Sequence, residues 1–448
     1  MAVSLSPAQR ALLPDTMSVS ASDPFTLELA GHSLKQLAER YGTPLYIFDR
    51  ATIVNACAQY REAFRREYQA SSVQILYASK AYLSPMIARL VAEEGLGLDV
   101  VSGGELLVAH RAAFPMERIS FHGNNKSAEE LRLALRLGVG RIVLDNWSEL
   151  RRLTQIAREM QMHPGVLVRV APDVETDTHR YLQTGHATAK FGFPLSTGDA
   201  AEAVRTILHE GQLHVLGLHA HSGTMLRETR PYEECLQRLL ELAVLLHKET
   251  GWWPQELSPG GGWAIATPDA PDRPDPALLA AALQRCILHC VDTLKISQPL
   301  PMLIIEPGRS IIARAGIALY RIGARKATPG GITYLFVDGG MADNIRPALY
   351  GALYTALPVE QLEREHDVSF CVSGRYCESG DMLIEEVRLP DMREGELLLL
   401  PTAGAYCLPM ASNYNLVPRP GVLLVDKETI HVMERRETYD DLLSRYCD

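Results

Sequence analysis

Gln74-Ile75-Leu76-Tyr77-Ala78-Ser79-Lys80 is the stretch that decides the fold. A short apolar run rich in strand formers stops at one cationic nitrogen, and Ala81-Tyr82-Leu83-Ser84-Pro85 follows as a helix start. The same strand-then-helix unit recurs downstream. Strand candidates fall at 73–79, 98–102, 119–122, 142–145, 166–170, 215–220, 256–258 and 302–306. Helical patterns such as 128–137, 148–160, 198–210 and 231–249 separate them. Eight such repeats predict an α/β fold, a (β/α)8 TIM-like barrel over 51–309, with its reactive groups at the C-terminal strand ends. The seventh strand is short, with Pro259 expected to end it.

The texture changes after Arg309. Ala318–Ile322 opens a series of strands and turns, and Gly421–Val425 with the following apolar run reads as a hairpin around Asp426-Lys427. Residues 310–448 are therefore expected to form a second, mostly β domain. The early strand Thr43-Pro44-Leu45-Tyr46-Ile47-Phe48, within a segment 25–50, is expected to join it. Residues 1–24 read as a flexible lead-in, with Leu12, Leu13 and Pro14 its apolar cluster.

At 448 residues two domains are the default expectation. A net charge of −10 argues against nucleic acid or an anionic membrane as the main partner. No segment reads as a continuous bilayer span, and the N-terminus lacks the apolar run of a secretory signal. The eight cysteines form no paired framework, so a reducing cytoplasmic location is expected.

Several motifs carry chemistry, each with a plainer alternative. Lys80, delivered by a strand end, either condenses with an aldehyde cofactor or is a surface lysine. Ser258-Pro259-Gly260-Gly261-Gly262 offers bare backbone N–H groups to an anion, or is a turn. Glu306 in Glu306-Pro307-Gly308-Arg309 either holds a pyridinium N–H or pairs with an arginine. His219 and His221 share one face of a strand, as packed or hydrogen-bonded residues, with one imidazole stacked on a flat cofactor, or as metal ligands lacking a third partner of fitting spacing. Cys377 beside Glu378 is a proton donor or an inert thiol. Arg346 and Tyr350 offer a carboxylate fork and a hydroxyl, or a solvated loop.

In this order the segments resemble the fold-type III pyridoxal-phosphate decarboxylases and, within them, the diaminopimelate decarboxylase branch. The likeness runs from about Tyr41 to Leu443 and rests on Tyr77-Ala78-Ser79-Lys80-Ala81, Leu98–Leu106, and His122-Gly123-Asn124-Asn125-Lys126-Ser127. Thr184-Gly185-His186 with Lys190-Phe191-Gly192, Gly260–Gly262, Glu306–Arg309, Cys377-Glu378-Ser379 and Gly404-Ala405-Tyr406 continue it. The resemblance implies that Lys80 carries pyridoxal 5'-phosphate, that Glu306 binds the pyridine nitrogen and that His221 stacks on the ring. Gly260, Gly261, Gly262, Thr224 and Tyr406 contact the phosphate. Arg309, Arg346, Tyr350 and Tyr406 hold the substrate, with Glu378 on its distal amino group. Cys377 gives or positions a proton from a second subunit, so a homodimer is expected, and no metal is. Two departures stand out: Ser222 and Thr224 around Gly223, where an apolar residue and serine are usual, and Ser258-Pro259, where an Asp-apolar pair is common.

The implied reaction is decarboxylation of meso-2,6-diaminopimelate to L-lysine, the last step of lysine biosynthesis. The alternatives are a decarboxylase of the ornithine, lysine, arginine or carboxynorspermidine type, and a catalytically silent regulatory homologue.

Overall fold

A computed structural model describes residues 5–21, 23–174 and 190–447. The chain divides into two compact units. One comprises residues 57–264 and 274–308, the other 1–56, 265–273 and 309–448.

The first unit is built on eight parallel strands: β1 (Val73–Ala78), β2 (Gly97–Val100), β3 (Ile119–Phe121), β4 (Arg141–Leu144), β5 (Gly165–Ala171), β6 (His214–His219), β7 (Glu256–Gly260) and β8 (Met302–Ile305). Each pairs with the next, β8 pairs with β1, and the sheet closes into a barrel. Leu76, Val143, Leu167 and Ile304, one each from β1, β4, β5 and β8, form an interior cluster. Branched side chains from different strands fill such a barrel from within. All eight sequence-predicted strands are present. β7, however, runs through Pro259 to Gly260 instead of ending at Ser258. Its register against β8 shifts between Leu257 and Gly260, where a residue without an N–H drops out of the ladder.

Helix Pro276–Leu294 bears on the expectation of no continuous apolar span, which its Gln284-Arg285 and Asp292 leave standing. Its 19 residues are long and apolar enough, by length and composition, to cross a bilayer. The reason lies in packing: Leu279, Ala280, Leu283, Ile287 and Cys290 are buried in this unit.

The second unit is a mostly β body. Leu45–Asp49 lies between Gly316–Ala327, antiparallel, and Gly421–Val425, parallel, so the early strand joins sheet partners hundreds of residues away. Leu45 and Ile47 face a core with Ile317, Leu319, Leu397, Leu399 and Leu423. The alternate residue Tyr46 points the other way, and its hydroxyl donates to Asp343 at 2.9 Å. The expected hairpin turns at Asp426, whose carboxylate accepts the N–H groups of Glu428 and Thr429 at 2.9 and 2.8 Å. Met382–Leu389, which pairs with Val368–Ser373, was not expected, because Glu385 and Glu386 blur its alternation.

The flexible lead-in is corrected over the described residues. Pro7–Leu12 is a helix with a capping box from Ser6 and Gln9, and Met17–Val19 pairs with Leu27–Leu29. Leu13 and Met17 are buried in the core of this unit. The capping box Ser6-Pro7-Ala8-Gln9 is a local signal the sequence does carry, whereas the burial of Leu13 and Met17 is a long-range effect it does not.

Candidate active site

Because the barrel strands are parallel, the residues ending each one converge on a single rim. Glu306 follows β8 and is only 6% exposed. His219, last in β6, donates Nε2–H to Glu306 Oε2 at 3.0 Å, and the Ser258 hydroxyl of β7 donates to Oε1 at 3.1 Å. His122, directly after β3, sets its Nε2 3.6 Å from Glu306 and 3.6 Å from Asp99, which lies in β2. The rings of His122 and His219 meet edge to face at 4.8 Å. Lys80 sits in the 3₁₀ turn Ser79–Ala81 just past β1, its Nζ 3.9 Å from Asp99 Oδ2.

The electrostatics follow from burial and donors. Burial alone would raise the Glu306 carboxyl, but the imidazoles of His219 and His122 hold it well below the usual carboxylate range. Burial pushes His122 and His221 well below the ordinary histidine value, so both are neutral near pH 7. Burial also lifts Asp99 to about 7 against the pull of Lys80. The rim thus presents one fixed anion, neutral imidazoles and an amine beside a carboxyl that titrates near neutrality.

The glycine loop closes on the same rim. A Cβ on Gly261 would run into the Glu306 carbonyl oxygen, and one on Gly262 into that of Gly223; Gly262 also has φ +109°. Only glycine lets these backbones approach. Gly261 N–H donates to His221 Nδ1 at 3.3 Å, and Gly260 N–H donates to the Ser258 hydroxyl at 3.1 Å. The loop is therefore tied to both His221 and, through Ser258, Glu306. Thr224 stands beside Gly262.

These residues fit pyridoxal phosphate: an amine for its aldehyde, an ionised carboxylate for its ring nitrogen, and a side-chain-free loop for its phosphate. Asp99 Oδ1, His122 Nε2 and His219 Nδ1 are buried without a hydrogen-bond partner among the described residues. His122, His219 and Glu306 also lie close enough together to ligate a metal ion. That trio leaves out His221, so it is not a third ligand for the His219/His221 pair; its members come from strands remote in sequence.

The second unit holds a different cluster. Arg309 lies over the Tyr406 ring at 4.5 Å, and Arg346, opening the helix Arg346–Tyr350, donates to the Tyr354 hydroxyl at 2.5 Å. Burial and the charge of Arg346 push Arg309 down to about 10, which leaves it a cation at pH 7. Neither guanidinium pairs with a carboxylate among the described residues, and the Nε of each is a buried donor without a partner there. Tyr406 has φ +61°, an uncommon backbone for a bulky residue and one that clusters at functional sites. Tyr350 ends the Arg346 helix. Cys377 and Glu378 lie on an exposed loop, where Cys377 N–H donates to Asn415 at 3.0 Å and Glu378 accepts from Gly380 at 3.2 Å.

Sequence reasoning gave no site role to Asp99, His122, Ser258 and Tyr354, and left His219 among packing, stacking and metal-binding readings without the Glu306 contact it makes. Asp99, His122 and Ser258 could have been found from their places at strand ends; Tyr354 carries no such signal. Arg169 was also missed. This buried guanidinium lies 3.5 Å from Asp145 and over the Phe191 ring at 4.4 Å. Thr184-Gly185-His186 lies outside the described residues.

Comparison with known proteins agrees with this chemistry. Residues 50–313 match the family described as pyridoxal-dependent decarboxylase, pyridoxal binding domain. Diaminopimelate decarboxylase of Bacillus subtilis (strain 168) is 40% identical over 93% of this chain and 94% of its own. That of Actinosynnema pretiosum subsp. auranticum is 41% identical over 94% and 92%. Among solved structures, diaminopimelate decarboxylase from M. jannaschii in complex with L-lysine superposes with a TM-score of 0.89 and 32% identity, covering 97% of this chain and 98% of that one. A rim that fits the cofactor and a family match across the whole barrel lead to one conclusion: this chain belongs to the pyridoxal-dependent decarboxylases.

Proposed function

We propose that this chain decarboxylates meso-2,6-diaminopimelate to L-lysine and carbon dioxide. The observation that carries the reading is the pair of half-buried guanidiniums, Arg309 and Arg346, each with a buried Nε that meets no partner and neither with a carboxylate partner among the described residues. Two cations suit a substrate with a second carboxylate at its far end and repel the terminal ammonium of ornithine or lysine. Relatives named diaminopimelate decarboxylase at about 40% identity support the same choice.

The roles follow from the chemistry of the side chains. Pyridoxal 5'-phosphate, when bound, supplies the electron sink that accepts the carbon–carboxylate bonding pair. Lys80 would hold the cofactor through its aldehyde, and its amine would stand beside the substrate's. Glu306, held ionised by His219 and Ser258, accepts the pyridine N–H and keeps that nitrogen protonated. His221 covers the ring face, while Gly260, Gly261, Gly262, Thr224 and Tyr406 take the phosphate. Arg309, Arg346 and Tyr350 grip the distal carboxylate, with Tyr406 alongside, and Glu378 takes the distal ammonium. Cys377 delivers the proton that replaces carbon dioxide on the α-carbon.

The active form is read as a homodimer, with Cys377 and Glu378 serving the site of a second copy; their exposure supports this. Eight free thiols support a reducing cytoplasm. The test is a substrate panel with product identification. Meso-diaminopimelate should yield L-lysine, and L-ornithine, L-lysine, L-arginine and carboxynorspermidine should lag by about a thousandfold or more in kcat/KM. Faster turnover of any of these, or a colourless protein inert on all, overturns the reading.

A further inference from the structure

The guanidinium of Arg346 is aimed by a chain of hydrogen bonds that ends deep in the second unit. Arg346 Nη1 donates to Tyr354 Oη at 2.5 Å. Tyr354 Oη lies 3.4 Å from Cys407 Sγ, and Cys407 Sγ lies 3.4 Å from Asn344 Oδ1. A guanidinium can only donate and an amide oxygen can only accept, so the chain has one direction: Arg346 to Tyr354, Tyr354 to Cys407, Cys407 to Asn344. Tyr354, Cys407 and Asn344 are buried. The chain is therefore shielded from competing water, and a misdirected member would leave a buried polar group unmet.

The two arginines share this support. Cys407 follows Tyr406, whose ring carries Arg309 at 4.5 Å, while the Tyr354 ring lies 5.6 Å from the Arg346 guanidinium carbon. One short segment, Tyr406-Cys407, thus underpins both cations, and Asn344 lies two residues before Arg346. Their separation is set by buried contacts on both sides.

We propose that Tyr354, acting through Cys407 and Asn344, is a positioning residue that fixes Arg346 for the distal carboxylate. The inference rests on the reading that Arg346 takes that carboxylate. Tyr354→Phe keeps the ring and removes the hydroxyl. It should raise KM for meso-diaminopimelate about tenfold, with kcat within about twofold, as expected for losing one hydrogen bond to a charged group. The visible absorbance of the bound cofactor should stay unchanged. Cys407→Ala should shift KM the same way by less. The double variant should be no worse than Tyr354→Phe alone, because both act through one chain. An unchanged KM in Tyr354→Phe, or strictly additive effects in the pair, overturns the proposal. Arg346→Ala separates the two levels: a KM unchanged there removes the distal-carboxylate reading itself, whereas a large rise there with none in Tyr354→Phe removes only the positioning role. Cys407→Ala, a smaller change in the same chain, keeps the question open to test if Tyr354→Phe does not fold.

Discussion

The barrel unit buries an anion among donors, and the second unit holds two half-buried cations against aromatic rings. In the barrel, both oxygens of Glu306 are met by protein groups, His219 on one and Ser258 on the other. In the second unit, Arg309 and Arg346 have ring faces and one phenol beneath them, but no counter-charge among the described residues. A guanidinium drawn partly out of water without a counter-charge is costly, so a fold that keeps two of them has a ligand anion to gain. The difference separates a group tuned for a resident cofactor from groups reserved for a transient substrate. The first must keep its charge state at all times, and the second must bind an anion reversibly.

The comparison can be broken first at Lys80. Lys80→Ala should cut turnover by more than about a thousandfold and remove the visible absorbance of the purified protein. Retained colour with borohydride-fixed pyridoxyl elsewhere would displace Lys80 from its role.

The next largest effect tests whether one copy completes the site of another. Lys80→Ala and Cys377→Ala are each expected to be nearly inactive, but co-refolded or co-expressed one to one they should regain roughly a quarter of normal activity, since half of the randomly mixed dimers carry one intact site. A mixture no more active than its parts rules out a site shared between copies.

Ser258→Ala sharpens the barrel side. Glu306 loses one of its two donors, and the glycine loop loses its link to that carboxylate. Turnover should fall roughly fivefold and cofactor affinity weaken, as read by absorbance titration, while KM for the substrate holds. A change in KM alone would move Ser258 out of the cofactor's support.

The smallest effect lies in the second unit and concerns stability. Burial pushes the Asp343 carboxyl up to about 6, with donors Tyr320 and Tyr46 pulling against it. Because the folded value is raised, the stabilisation is full below the unfolded value near 4 and is lost as pH rises through 6. Asp343→Asn cannot titrate. The Tm advantage of the native protein over this variant should therefore shrink by roughly 3 °C between pH 4 and pH 7.5, checked by thermal melts. A pH-independent difference would contradict the burial argument.

The barrel was legible because its information is local. Each strand candidate is a short apolar run with turn residues at its ends, and Lys80, Glu306 and the glycines announce themselves by standing at those ends. The second unit was legible as β texture, but the strand Met382–Leu389 was hidden by Glu385 and Glu386, whose side chains face outward. The N-terminal helix was hidden because its stability comes from Leu13 and Met17 meeting a core assembled from later segments. Tyr354 was invisible for a related reason: nothing in Gly351-Ala352-Leu353-Tyr354 says which hydroxyl will meet Arg346.

What the chain determined by itself is therefore periodic and positional: eight strands, their order, and the chemical type of the residue at each strand end. Side-chain alternation and turn chemistry act over a few residues, so they survive in a one-dimensional text. Only the tertiary structure decided that His219 and Ser258 clamp Glu306, that His122 joins them from β3, and that a buried phenol and thiol stand behind Arg346. Those choices depend on register, on barrel closure and on which buried donor is left to find which acceptor, and each is fixed only when strands distant in sequence have met.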